Sequence, residues 1–104
     1  MEADEILDTS VAIHRDSGAV TVFSAIEYTP SLKKFEIIFP EIRDYTKAIN
    51  IAEELRVNGK PIGAIDILIS AMCLNRSAKL ITKDNDFRFI KEIFPEFNLN
   101  IIKS

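Results

Sequence analysis

Four carboxylates stand next to or within apolar segments of this chain: Asp8, Glu27, Asp66 and Asp84. Asp8 directly follows Ile6 and Leu7, and Asp66 lies in the apolar segment GAIDILI. Carboxylates are seldom buried unless they are paired or bind a metal. Several of them together repel one another unless a cation neutralises them, and hard oxygen ligands select Mg²⁺ or Mn²⁺. Such a site suits phosphoryl chemistry, in which metal ions activate water and stabilise the attacking and leaving oxygens.

Each acid also has a purely structural explanation. Asp8 and Asp84 can cap the N-termini of helices, and Asp66 can interact favourably with the dipole in a first helical turn. Glu27 can form a capping box with Ser24. The presence of all four acids near strand ends favours a shared site. The carboxyl ends of parallel strands meet at one edge of a sheet, and ligands bind there.

The elements that would position these acids alternate along the chain. β-rich runs predict strands at residues 6–7, 19–23, 35–39, 79–82 and 99–102. Apolar periodicity and capping signals predict helices at 11–15, from Ser24 to Pro30, at 41–57, 62–76 and 84–93. Strands separated by helices predict an α/β fold, a three-layer α/β/α sandwich with a mostly parallel sheet of about five strands. We expect a single domain over residues 1–104.

Composition narrows the class of protein. The 104 residues are 47% hydrophobic and 28% charged, which is typical of a soluble globular domain and excludes intrinsic disorder. One cysteine excludes an internal disulfide. No apolar run approaches the roughly 20 residues of a spanning helix, and the acidic start Met1–Glu5 has no signal-peptide pattern. We therefore expect a cytoplasmic protein that does not engage a membrane. The net charge is −3, and it becomes +1 if four acids bind a cation and are left out of the count. The rest of the chain would then not strongly repel RNA.

The four acidic segments, taken in order, resemble the PIN domain family. ILDTSV resembles the family's strand-then-Asp-Thr opening, and VFSAIE resembles its second-acid segment. GKPIGAIDILISA resembles the third-acid helix with its glycine–proline entry. LITKDNDF resembles the Thr-x-Asp/Asn…Asp-Phe element. The resemblance covers nearly the whole chain and is greatest to VapC-type toxin ribonucleases.

The resemblance implies a metal-dependent endoribonuclease, the toxin of a type II toxin–antitoxin pair, that cleaves RNA phosphodiesters with Mg²⁺ or Mn²⁺. Asp8, Glu27 and Asp66 would form the acidic metal-binding and catalytic core. Asp84 would be the fourth acid, with Asp86 as an alternative. Substrate contacts would come from Thr9, Ser10, Thr82, Lys83 and Arg15.

The spacing of the acids departs from the family pattern. Glu27 follows Asp8 by 19 positions and Asp66 follows Glu27 by 39. Both intervals look contracted, which indicates a shortened variant. In toxin relatives this region often forms dimer contacts and the antitoxin groove. We expect an antitoxin partner and a homodimer, because a small sheet with apolar helices leaves surface to cover.

Other interpretations remain open at the level of sequence. The main alternative is a non-catalytic PIN-like module that binds RNA or protein. A small-molecule phosphohydrolase would need a deep, closed pocket that so short a chain is poorly able to supply. Lys60 and Arg88 are further basic candidates for positioning phosphates. The phenylalanines near the C-terminus suit core packing, with RNA stacking or a dimer face as the alternative.

Overall fold

Five short parallel strands form the centre of the fold. The computed structural model describes residues 3–103, so the first two residues of the acidic N-terminal segment and Ser104 lie outside the described residues. The strands are β1 Glu5–Leu7, β2 Ala19–Thr21, β3 Glu36–Ile38, β4 Lys79–Thr82 and β5 Leu99–Ile101. β1, β4 and β5 form one sheet in the order β1-β4-β5, and β2 pairs with β3. All three pairings are parallel, and the two sheets meet where β1 contacts β2.

Helices connect the strands. They are α1 Thr9–Ala12, α2 Val22–Glu27, α3 Ser31–Lys34, α4 Ile42–Val57, α5 Ala64–Arg76 and α6 Phe87–Ile93. None of the helices within residues 3–103 is both long and apolar enough to cross a membrane.

The two faces of the strand layer carry separate cores, because successive side chains of a strand point to opposite faces. Ile6 and Leu80 belong to the larger core, together with buried residues of α4, α5 and α6. Leu7 and Ile81, their neighbours along the same strands, belong to the smaller core with residues of α1 and α2. The three-layer α/β/α arrangement and the parallel strands are therefore confirmed.

A buried ion pair fixes α4 against α5. Asp44 is fully buried, and its two carboxylate oxygens accept hydrogen bonds from the Arg76 guanidinium at 2.9 and 3.0 Å. Asp44 also accepts from the backbone N–H of Glu41 at 2.7 Å, which completes a capping box at the start of α4. Burial alone would raise the pKa of Asp44, but the hydrogen bond and charge of Arg76, with the bonds from Glu41 and Asn75, hold it below its ordinary value. This link positions α5, which carries Asp66.

The second strand ends earlier than its sequence suggests. Val22 and Phe23 favour a strand by propensity, but they form the first turn of α2. Thr21 is the N-cap, and its hydroxyl accepts a hydrogen bond from the Ser24 N–H at 3.4 Å. The capping box between Ser24 and Glu27 is therefore a wrong prediction: a cap three residues upstream starts the helix and leaves Glu27 at its last position.

Helix bounds differ elsewhere by a few residues. α1 begins at Thr9 rather than residue 11, and α5 begins at Ala64 because Gly63 is its N-cap. α6 begins at Phe87, since residues 85 and 86 form a turn before it. The four-residue helix α3 has no periodic signal long enough to be read from sequence.

Candidate functional site

A pocket opens at the carboxyl ends of β1 and β4. Its volume is about 470 Å³. All four carboxylates singled out from the sequence line it: Asp8, Glu27, Asp66 and Asp84. Asp8 follows β1, Asp84 follows β4, Glu27 ends α2 and Asp66 lies in the first turn of α5. The structure thus brings together acids that are up to 76 positions apart in the chain.

Asp8 occupies the N-cap position of α1 without acting as a side-chain cap. Its backbone N–H donates to the Ile81 carbonyl at 2.9 Å, which extends the β1–β4 pairing to this residue. Its carboxylate accepts hydrogen bonds from the Thr82 hydroxyl at 2.7 Å and the Ser10 hydroxyl at 3.3 Å. The helix-capping explanation of this side chain is therefore wrong, and two hydroxyls orient it at the pocket.

Glu27 is linked to the start of α1 by a side-chain hydrogen bond. The Thr9 hydroxyl donates to Glu27 Oε1 at 2.7 Å. Both residues line the pocket. A single oxygen of the carboxylate is thus engaged by Thr9, which fixes the exposed side chain relative to Asp8.

Asp66 is half-buried at the centre of the acidic group. Burial, followed by the negative charges of the surrounding acids, raises its pKa from 3.8 to about 6; those acids are Asp8, Asp84, Asp86 and Glu27. None of the described residues that line the pocket is basic. The pocket therefore gathers negative charge without an internal counter-charge.

The two acids that follow β4 have different positions. Asp84 lines the pocket, whereas Asp86 does not. Asp86 is the N-cap residue of α6, and its backbone N–H donates to Asp84 Oδ1 at 2.9 Å. The Asp84 N–H in turn donates to the Thr82 hydroxyl at 3.0 Å. Asp84 is thus better placed than Asp86 to be the fourth acid of the pocket.

The five residues proposed as substrate contacts separate into three groups. Thr9 lines the pocket. Ser10 and the buried Thr82 bond to Asp8, and Ser10 also accepts the Lys83 N–H at 3.1 Å. The side chains of Lys83 and Arg15 do not line the pocket, and Arg15 is exposed beyond the end of α1.

The donor set suits a hard divalent cation, because four carboxylates face one pocket without a basic side chain. As the residues stand, however, no three Asp, Glu, His or Cys side chains within residues 3–103 are grouped tightly enough to hold an ion. Only the type of the donors, carboxylate oxygens, matches the preference of Mg²⁺ and Mn²⁺.

Apolar side chains complete the pocket, and sequence reasoning did not assign them to the site. Phe23 and Ile69 form part of the wall, together with Ile26 and Ile65, which are 71% and 48% exposed. Their positions in the sequence could have indicated this role, since each of the four residues adjoins a pocket acid or lies one helical turn from one. Apolar walls next to charged groups strengthen electrostatic interactions by excluding water.

Comparisons with known proteins give one family. The PIN domain family model matches residues 24–93. Comparison with curated protein sequences gives no match.

Three solved structures have the same fold. VapBC-5 from Mycobacterium tuberculosis, a member of the VapBC family of toxin–antitoxin systems, is 21% identical with a TM-score of 0.75, over 99% of this chain and 100% of that one. VapBC2 from Rickettsia felis, bound to a DNA fragment from its promoter, is 18% identical with a TM-score of 0.78, over 95% and 98%. VapBC-1 from nontypeable Haemophilus influenzae is 18% identical with a TM-score of 0.74, over 93% and 96%.

These alignments span nearly all of the three solved chains. The shortening indicated by the acid spacing stays a prediction. The family match covers about two thirds of the chain, from Ser24 within the second-acid segment to the end of α6. The chain belongs to the PIN domain family.

Proposed function

We propose that this protein is a Mg²⁺- or Mn²⁺-dependent endoribonuclease and the toxin of a type II toxin–antitoxin pair. The observation that carries the proposal is the convergence of Asp8, Glu27, Asp66 and Asp84 on one pocket at the carboxyl ends of parallel strands. Membership of the PIN family and the likeness to VapBC structures support it.

The four carboxylates would hold the cation, which when bound supplies activation of water and neutralisation of phosphate charge. The chain's own residues set the geometry. Thr82 and Ser10 orient Asp8, and Thr9 orients Glu27. Phe23 and Ile69 supply apolar wall to the pocket. Ile26 and Glu27 at the pocket are exposed, so the pocket opens to solvent, which favours RNA over a small enclosed substrate.

The test is an RNA cleavage assay on the purified chain. A structured RNA is incubated with Mg²⁺ or Mn²⁺, with EDTA, and with the Asp66→Asn variant. We expect cleavage by the wild type with a cation, and its loss in EDTA and in the variant with the fold intact by circular dichroism. Cation-independent cleavage, or full activity of Asp66→Asn, would contradict the proposal.

The acids after β4 supply a matched pair of variants. Asp84→Asn removes a pocket-lining carboxylate, and we expect cleavage to fall by at least about 100-fold. Asp86→Asn removes a carboxylate two positions away that makes no side-chain cap bond, so most activity should remain. The opposite ranking would assign the fourth acid to Asp86.

A non-catalytic binding module is the second candidate. One observation favours it: within residues 3–103 the acids are not already arranged to hold an ion. This candidate predicts RNA or protein binding that neither EDTA nor Asp66→Asn alters. The cleavage assay and a binding measurement on the same samples therefore separate the two functions.

The proposal includes two protein partners. An antitoxin is supported by the VapBC proteins of similar fold. A homodimer is supported by the α4 face, which we define as Ile42, Tyr45 and Ile49 with the neighbouring Ala48 and Ala52. Ile42 and Ile49 are 85% and 72% exposed, beside an apolar groove lined by the two alanines. Protruding aliphatic side chains next to a groove of small residues on one surface suit pairing with a second copy about a two-fold axis.

A further inference from the structure

Two cations lie on one aromatic ring at the start of α6. Lys60 Nζ is 4.9 Å from the centroid of the Phe89 ring, and the guanidinium carbon of Arg88 is 4.8 Å from it. The two positive charges are therefore less than about 10 Å apart, within one Debye length at 0.1 M salt. They repel each other, and the ring offsets part of this repulsion by cation–π attraction.

Neither cation has an acidic partner among residues 3–103. This differs from Arg56, which pairs with Glu53, and from Arg76, which pairs with Asp44. Lys60 and Arg88 are both exposed, whereas Phe89 is half-buried against the larger core. A ring anchored in the core thus contacts two solvent-accessible charges, and an anion close to both would relieve their repulsion.

The position of this cation pair relates it to the acidic pocket. Lys60 lies six residues before Asp66, with an extended segment and the first turn of α5 between them. Standard chain dimensions limit the two Cα atoms to about 16 Å apart, and those of Arg88 and Asp84 to about 14 Å. The pair therefore belongs to the segments in which α5 and α6 begin, the same segments that carry Asp66 and Asp84.

We propose that Lys60 and Arg88, held together on Phe89, bind the phosphate backbone of single-stranded RNA next to the bond that is cut. The inference rests on the proposed nuclease function and names the contact that brings its substrate to the pocket. A pocket lined by four carboxylates repels a polyanion, so adjacent positive charge is needed to draw the strand in. Phe89 supports the cations in this arrangement and is not itself a surface for base stacking.

The test measures the salt dependence of RNA binding. A single-stranded RNA oligonucleotide with a fluorescent label is titrated with the full chain in EDTA, and the logarithm of the association constant is plotted against that of the salt concentration. The double variant Lys60→Gln/Arg88→Gln should bind about tenfold more weakly, with a slope reduced by about 1.4, since each phosphate contact on a single strand contributes about 0.7. An unchanged slope would overturn the proposal.

Two controls isolate the role of these charges. Lys47 lies over the Phe94 ring at 5.2 Å, at the opposite end of α6, and Lys47→Gln should leave the slope unchanged. Lys60→Arg/Arg88→Lys retains both charges and should retain the slope. An equal loss in the Lys47 variant, or a lost slope in the charge-retaining variant, would also overturn it.

Failure of this inference is distinguishable from failure of the nuclease function. Binding is measured in EDTA and does not depend on cleavage. A reduced slope with an inactive wild type would support the phosphate contact and reject the nuclease. An unchanged slope with an active wild type would reject the phosphate contact and support the nuclease.

Discussion

At the residue scale, hydroxyl groups position the carboxylates of the pocket. Thr82 is fully buried, donates to Asp8 and accepts the N–H of Asp84. One side chain thus couples two of the four acids. Groups that orient metal-ligating residues in this way commonly change metal affinity or activity by about 10- to 100-fold when they are removed.

We predict that Thr82→Val lowers both Mn²⁺ affinity and RNA cleavage by about 10- to 100-fold. The variant keeps the shape of the side chain but removes the shorter of the two hydroxyl bonds to Asp8 and leaves the Asp84 N–H without its Thr82 acceptor. Thr82→Ser retains the hydroxyl and should retain most of both properties. Titration calorimetry and the cleavage assay measure the two effects. Wild-type affinity in the valine variant would show that Thr82 serves packing alone.

At the element scale, the sequence predicts those strands and helices whose bounds depend on the local pattern of residues. Runs such as KLIT place β4 at its observed bounds, and the position of an acid at the end of such a run locates Asp8 and Asp84 at the sheet edge. The end of β2 was not predictable in the same way. Val22 and Phe23 favour a strand, and the cap by Thr21 that turns them into a helix competes with an equally plausible cap by Ser24.

Contacts between distant residues were beyond the sequence. The bond from Thr9 to Glu27 and that from Thr82 to Asp8 join elements whose relative position only the fold sets. The same holds for the α4 pattern: its apolar residues predict a helix, but they do not reveal that Ile42 and Ile49 point to solvent.

The junction of α4 and α5 gives a stability prediction. Asp44→Asn removes the buried carboxylate that pairs with the guanidinium of Arg76, which is 4% exposed and keeps its ion pair with the exposed Glu41. We expect the free energy of unfolding to fall by about 3 kcal/mol. Glu53→Gln removes the partner of Arg56 in an exposed pair and should not measurably change urea unfolding, because exposed pairs contribute little. Equal effects of the two variants would contradict the structural role of Asp44.

The same pair predicts a pH dependence. The pKa of Asp44 in the folded protein lies below its ordinary value of 3.8, so the unfolded chain binds this proton more tightly. Its stabilisation is fully present above the ordinary pKa and is lost as the pH falls through the lower folded value. Urea unfolding measured at successively lower pH from pH 6 should therefore show that the free energy of unfolding falls less steeply in Asp44→Asn than in the wild type. An equally steep fall in both proteins would show that other acidic residues determine the loss of stability at low pH.

At the scale of the whole molecule, the α4 face is an apolar surface that a monomer would leave exposed to solvent. Ile49 lies at the middle of that face and is 72% exposed, as is Leu32 on α3. We predict that Ile49→Asp converts a dimer to a monomer, while Leu32→Asp leaves the dimer intact. Light scattering after size-exclusion chromatography measures the mass. A wild-type monomer at high concentration would contradict the homodimer.

The central claim is that the acids at the strand ends form a divalent-cation site. Titration calorimetry of Mn²⁺ into the wild type and the Asp66→Asn variant tests it most directly, because it requires neither the natural RNA nor a partner. We predict saturable binding by the wild type, weakened by at least about tenfold in the variant. Absence of Mn²⁺ binding by the folded wild type would contradict the claim and leave the non-catalytic binding module as the better account.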